Sequence, residues 1–487
     1  MKRATRALSV VLTSLAVVMD ARAAQLPSRK KVDAVAVGPC VDYGPGFFFI
    51  PDLTTCVKLG GSVRAELQYA PARDIYEVST GAVRTDYTSV YSSSSGTTTL
   101  YAPRNFQDET GFDMRGRISF DSRTATDLGD ARMFVRLRAA SSSGLSNTAI
   151  ANSYAYSAVG DLATVAAIEA AMVQVANFTF GIAPENYAMM PSFFYHATPW
   201  TTFVNGVKQI SYTQLLDYGF SATLAMEDRR DHFYGGNVAQ ASLNGSNFVG
   251  NLRLDRPFGF VAAHMLVGFN SNYVKSTGAA PTSYASGFTA LGTSSAVESK
   301  THGAFALGLT GNVKLPTGEG DQFWFTTNYA NGALGALLSD GGLSNIGTLG
   351  THRLLGGVVR LDANLVPTAN SSAASASVES VSGHTFAGAV LHHWSREWRA
   401  HINAGYIEMN PPKQIQTAQT AWGRGRLYVL TLGLIYSPLP QFDIGLEVQA
   451  ARIHNQLQNP TTAFQAAGMP GLMDQNISTK LRAERSF

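Results

Sequence analysis

Charge is scarce in this chain of 487 residues: only 15% are Asp, Glu, Lys or Arg, against about 25% in an ordinary soluble protein. A chain so poor in charge, yet carrying 46 glycines and 10% aromatics, hides much of its surface from water. Beyond the N-terminal two dozen positions, no stretch approaches the roughly 20 apolar residues that a spanning helix needs. Any membrane form must therefore cross with strands. The formal net charge of +3 comes without a Lys/Arg-rich patch, which argues against nucleic acid as a partner. Catalytic signatures are missing too: there is no Gly-x-Ser-x-Gly elbow, no P-loop and no His-Glu-x-x-His helix. His392, His393 and His401 offer metal-ligand chemistry, but neighbours on a strand point to opposite faces. They read as wall or aromatic-belt residues, and neither a metal nor a cofactor is expected.

What is present begins with an address. "MKRATRALSVVLTSLAVVMDARAAQ" has a basic start, an apolar run from Leu8 to Met19 and an Ala-x-Ala site, the anatomy of a secretory signal peptide over residues 1–23. In an exported chain, a lone pair of cysteines, Cys40 and Cys56, favours a disulfide. It would close a loop of about 17 residues, worth roughly 3 kcal/mol in the chain-entropy view. The competing reading, a metal site, is poorly served by two thiols with no histidine nearby.

From Val57 onward the chain alternates. Val57, Leu59, Val63, Ala65, Leu67 and Tyr69 share one strand face, and Lys58, Ser62, Arg64, Glu66 and Gln68 share the other. The same alternation returns in "GFDMRGRISFD", "RMFVRLRA", "GFSATLAMED", "FALGLTGNVKL", "WRAHINAGY" and "QFDIGLEVQA". These segments run about 10 residues, the length of a tilted membrane strand. The joining pieces alternate between short turns such as "DYG", "SRE" and "PLP" and long Ser/Thr/Gly/Ala-rich stretches, the mark of an outer-membrane barrel.

Fifteen strands can be read directly, at 57–70, 111–121, 130–140, 169–182, 207–216, 219–228, 248–256, 259–270, 302–315, 321–330, 382–394, 397–409, 426–437, 441–453 and 476–487. Short turns must all lie on one side, so parity demands one more strand. The place expected for it is within 141–167, around "NSYAYSAVG". The fold class is then all-β: a 16-stranded antiparallel transmembrane barrel over 57–487, preceded by a periplasmic segment at 24–56. The terminal Phe487, on the oily register, suits the barrel-assembly machinery. Arg64, Arg115, Arg117 and Arg136 fall on the polar register and are expected to line the pore, with Arg132 and Arg138 nearer its ends. The competing reading pairs them with Glu66, Asp113 or Asp121 as mere wall structure.

The block "CVDYGPGFFFIPDLTTCVKLGGSVR" resembles the N-terminus of alphaproteobacterial porins of the rhizobial and Brucella type. "TDLGDARMFVRLRA", "FTFGIAPENY", "KQISYTQLLDYGFSATLAMED", "GNVKLPTGEGDQFWFTTNYANG" and the closing "RSF" resemble that family in the same order. The resemblance implies a trimeric porin whose third loop, Pro184 to Gly206, folds inward and brings Glu185 and Tyr187 to the constriction. Third loops of general porins carry several acids, whereas this one has only Glu185 among Met189, Met190, Phe193, Phe194, Tyr195 and Trp200. A weak anion preference is therefore expected for a channel passing small hydrophilic solutes and ions. Outer-membrane lipids and lipopolysaccharide would surround it. The readings left open are a substrate-specific channel and a surface adhesin or receptor acting through its long loops.

Overall fold

The structure, a computed structural model, describes residues 40–51, 54–70, 75–80, 91–92, 97–102, 109–144, 163–188, 206–228, 246–276, 296–337, 363–366, 377–410, 424–455 and 472–487. Sixteen strands form one closed antiparallel barrel. In chain order they are β1 (Thr55–Tyr69), β2 (Thr110–Thr126), β3 (Gly129–Gly144), β4 (Ala163–Val175), β5 (Phe178–Ala183), β6 (Val207–Leu215), β7 (Phe220–Asp228) and β8 (Ser246–Arg256). They continue as β9 (Gly259–Ser276), β10 (Ala296–Lys314), β11 (Gln322–Asn331), β12 (Ser382–His393), β13 (Trp398–Asn410), β14 (Gly425–Leu439), β15 (Phe442–Asn455) and β16 (Leu472–Ser486). Each strand pairs with the next, and β16 closes on β1 with Ser62 opposite Ser486 and Tyr69 opposite Thr479. Closure leaves no edge, which is what lets a sheet stand in hydrocarbon.

The side chains explain the closure. Leu59, Val63, Ile118, Leu224, Phe248, Leu307, Phe386 and Leu432 all point outward and exposed, Leu224 at 72%. Ser62, Glu66, Gln209, Thr223, Thr310, Asn328, Thr385 and Gln449 point inward and are buried. An apolar band around the whole outside would be untenable in water; in a bilayer it is the solvated face. The strands meet through seven short turns on one side, such as 127–128, 176–177 and 440–441, and eight long connections on the other. The start of β1 and the end of β16 both fall on the short-turn side, which in such barrels is periplasmic.

Two expectations change. The segment 169–182 is not one strand: it is the second half of β4, a turn at Ala176–Asn177 and β5. The sixteenth strand demanded by parity is therefore β4 itself, further along the chain than "NSYAYSAVG", which lies outside the described residues. The turn carries no Gly or Pro, yet Ala176 and Asn177 sit at φ 49° and 70°, the geometry of a tight hairpin turn. Two long connections also hold small sheets of their own, Ile75–Thr80 with Thr97–Ala102 and Tyr91–Ser92, and Ala363–Val366 with Ser377–Ser380.

At the periplasmic end Cys40 and Cys56 are joined by a disulfide. The short strand Phe48–Ile50 pairs with the start of β1, Phe48 opposite Val57. Arg123 of β2 lies over the rings of Tyr43 and Phe47 at 5.5 and 5.1 Å. Tyr43 donates to Asp130 at 2.9 Å, tying the knot to β3. Burial, followed by that hydrogen bond, raises the pKa of the Tyr43 phenol. At the other terminus, the Phe487 backbone exchanges hydrogen bonds with Gly61 at 3.0 and 3.2 Å. A Cβ at Gly61 would stand 2.6 Å from both the Arg117 carbonyl oxygen and the Phe487 ring, so glycine lets β2 and the terminal aromatic close up there.

Candidate functional site

One wall of the lumen is built from cations. Cross-strand register puts Arg64 opposite Arg115, Arg117 opposite Arg138 and Arg123 opposite Arg132. Like charges facing each other across strands cost stability, so three such pairs on adjoining strands need a reason other than folding. Lys480 and Arg482 of β16 extend the wall on the other side of β1, opposite Gln68 and Glu66.

Carboxylates are threaded between them. Glu66 accepts from Lys480 at 2.8 Å and from Arg482 at 2.7 Å, with Arg64 at 3.7 Å. Asp113 takes Arg64 at 2.6 Å and stands 3.8 Å from Arg115. Glu169 takes Arg117 in a two-pronged contact at 2.7 and 2.9 Å, with Arg138 at 3.5 Å. Nearer the periplasm, Asp121 is shared by Arg132 at 2.9 Å and Arg123 at 3.2 Å. Arg136 has no carboxylate partner among the described residues; its guanidinium lies 5.2 Å over the Phe134 ring, whose other neighbour is Arg132, also at 5.2 Å.

Counting the middle of the wall, Arg64, Arg115, Arg117, Arg136, Arg138, Lys480 and Arg482 face Glu66, Asp113, Glu169, Glu447 and Glu484, an excess of two positive charges. Accessibility divides the cations. Arg64 and Lys480 are buried in their pairs, while the side chains of Arg115, Arg117 and Arg138 stay 21–30% exposed. The four arginines expected from the sequence thus share one wall. Arg64 is mainly a buried strut there, and Arg115, Arg117 and Arg136 are the half-exposed charges.

The opposite part of the lumen differs. The start of the third long connection, after β5, turns onto inward-facing side chains of β6 to β9. The Asn186 backbone N–H donates to Glu227 at 2.9 Å, its side-chain amide donates to Gln209 at 2.5 Å, and Asn251 donates to its carbonyl at 3.0 Å. Glu185 is buried, and Tyr187 is 1% exposed with its ring edge-on to His264 at 4.5 Å. Tyr187 faces packed protein there, and burial raises its phenol pKa well above the usual value. Around it a continuous apolar cluster lines the inside of β7 to β15, including Val249, Leu266, Ala306, Ile407 and Leu427. Met189, Met190, Phe193, Phe194, Tyr195 and Trp200 lie outside the described residues.

Sequence reasoning missed Glu169, Lys480 and Arg482. The last two were visible as alternate residues of "STKLRAER". Glu169 was not, because its inward aim depends on a bulge: Arg136 pairs with Ala170 and Leu137 with Ile168, leaving Glu169 as the extra residue.

His392 and His393, expected to point apart, both reach Asp321 in the turn before β11. Its carboxylate accepts from the Thr317 hydroxyl at 2.6 Å and the His393 backbone at 2.8 Å, and lies 2.6 Å from His392 Nδ1. These contacts, the Thr317 hydrogen bond first, hold its pKa well below the carboxylate range.

Comparison with known proteins agrees with this architecture. Among solved structures, the chain is similar to the outer membrane channel DcaP of Acinetobacter baumannii, with a TM-score of 0.53 at 12% identity over 90% of this chain and 99% of that one. It is also similar to OprB of Pseudomonas putida, with a TM-score of 0.47 at 8% identity, covering 88% and 94%. An anion-selective porin from Comamonas acidovorans gives 0.43 at 8% identity, covering 89% and 100%. None of the curated proteins compared matches the chain. The model of the porin subfamily matches residues 27–468. The chain belongs to the porin family, an outer-membrane channel protein by descent and by fold.

Proposed function

We propose that the passive diffusion channel formed by this porin in the bacterial outer membrane is weakly anion-preferring. The observation that carries the reading is the set of three arginine pairs facing each other across β1, β2 and β3. With an excess of positive charge on one low-dielectric wall, the field is focused into the lumen and local anion concentration rises. The interleaved carboxylates keep the preference weak. No bond is made or broken in such transport.

The contacts of Asn186 and Tyr187 with inward-facing residues support an inward third loop over Pro184–Gly206. Residues 1–23 act as the export signal, 24–56 as a disulfide-closed periplasmic segment and Phe487 as the mark read by the barrel-assembly machinery. The working assembly is a homotrimer among outer-membrane lipids and lipopolysaccharide. Its contact face is the outside of β16 and β1 to β3, where Ala65, Gly116, Ala139 and Ala483 allow close approach.

Replacing Arg115 and Arg136 together by Glu tests the selectivity reading. The anion-to-cation permeability ratio should fall several-fold in planar bilayers. A ratio unchanged from the native channel would contradict it.

A further inference from the structure

The third connection is not alone in turning inward. After β11 the chain does not leave the barrel directly. Gly332 donates its backbone N–H to Val381 at 2.9 Å, and Leu334–Ala336 form a single tight helical turn closed by Ala336 on Ala333 at 3.0 Å. Leu337 then ends in a fully buried position, 0% exposed. Its carbonyl accepts from the Thr385 hydroxyl at 2.9 Å. A Cβ at Gly383 would crowd the Glu408 backbone carbonyl of β13 and stand 2.8 Å from the Leu337 side chain.

Gly383 and Thr385 are on the inward register of β12, since Phe386 between that register's positions is 54% exposed to the outside. Leu337 therefore lies inside the barrel, seated where β12 has glycine instead of a side chain. Its neighbours Ile407, Met409 and Leu427 are buried with it, and Tyr187 of the third connection belongs to the same apolar cluster.

We propose that Gly332 to Leu337 form a second inward anchor which, with the start of the third connection, dries one half of the lumen and confines the aqueous path to the arginine wall. The inference rests on the reading of the protein as an open channel. Two sets of burial values support it. On the anchored side even polar wall residues are sealed: Thr310, Thr385 and Thr431 are no more than 1% exposed. On the other side Arg64, Glu66 and Lys480 are sealed in their ion pairs, but Arg115, Arg117 and Arg138 keep 21–30% of their side-chain surface. Leu337 thus determines the width of the path, and the arginines determine its sign. The solute class that fits is small, slender and anionic.

The test uses the full-length protein in planar bilayers. Leu337→Asp places a carboxylate in an apolar seat and should release the anchor, raising single-channel conductance by about half or more. Leu337→Gly, which empties the seat, should do the same. Open native channels with unchanged conductance in both variants would overturn the anchor alone. A silent native protein would overturn the channel reading and the anchor with it. A thiol measurement stands beside these in case the variants fail to fold. In folded protein Leu337→Cys should react with a bulky maleimide at least about tenfold more slowly than Leu128→Cys, which is 71% exposed in the turn after β2. Equal rates would overturn the anchor.

Discussion

The Glu169 carboxylate grips the Arg117 guanidinium at 2.7 and 2.9 Å because a bulge in β4 turns Glu169 into the lumen. It is the extra residue between Ile168 and Ala170, which pair with Leu137 and Arg136. The wall's charge balance at mid-height thus depends on a local irregularity of one strand.

Neutralising that carboxylate should change selectivity without changing the fold. Glu169→Gln leaves Arg117 and Arg138 without their shared counter-charge, so anion preference should rise while the barrel still forms. Reversal potentials of native and variant channels under the same salt gradient check this. Equal potentials would place the pair outside the conducting path.

The barrel was legible in the sequence where alternation was clean. β1, β2 and β7 follow period 2 with scarcely an exception, and their polar registers face the lumen. Parity also forced a sixteenth strand into the count. Its position was lost at Ala176–Asn177, because the turn uses two non-glycine residues at positive φ inside an apolar run. Glu169 was lost because a bulge breaks the period that made the other lumen residues readable. The inward seats of Tyr187 and Leu337 depend on contacts between distant strands, which a local pattern does not carry.

Glu66 is the buried hub joining β1 to β16, with Lys480, Arg482 and Arg64 gathered around it. Removing one partner from a buried charge cluster costs about 3–5 kcal/mol. Glu66→Gln should therefore lower the thermal unfolding temperature in detergent clearly. An unchanged melt would show that solvent reaches the cations and compensates.

Asp321 gives the pH dependence. Its pKa is depressed in the folded barrel by the Thr317 hydroxyl, the His393 backbone and His392. A depressed carboxylate contributes stability above its unfolded pKa of about 4 and loses it as pH falls through the folded value. Unfolding temperatures should thus be insensitive to this group near neutrality and decline below about pH 4. Asp321→Asn should start lower at neutral pH and show a shallower decline. Parallel curves for the two proteins would rule Asp321 out as the source.

The central claim, an open channel biased by its arginine wall, is tested most directly by the zero-current potential of single native channels in a planar bilayer under a salt gradient. The account predicts large ohmic steps with a reversal potential displaced modestly to the anion side. A displacement to the cation side would contradict the charge assignment, and an absence of steps would contradict the open channel itself.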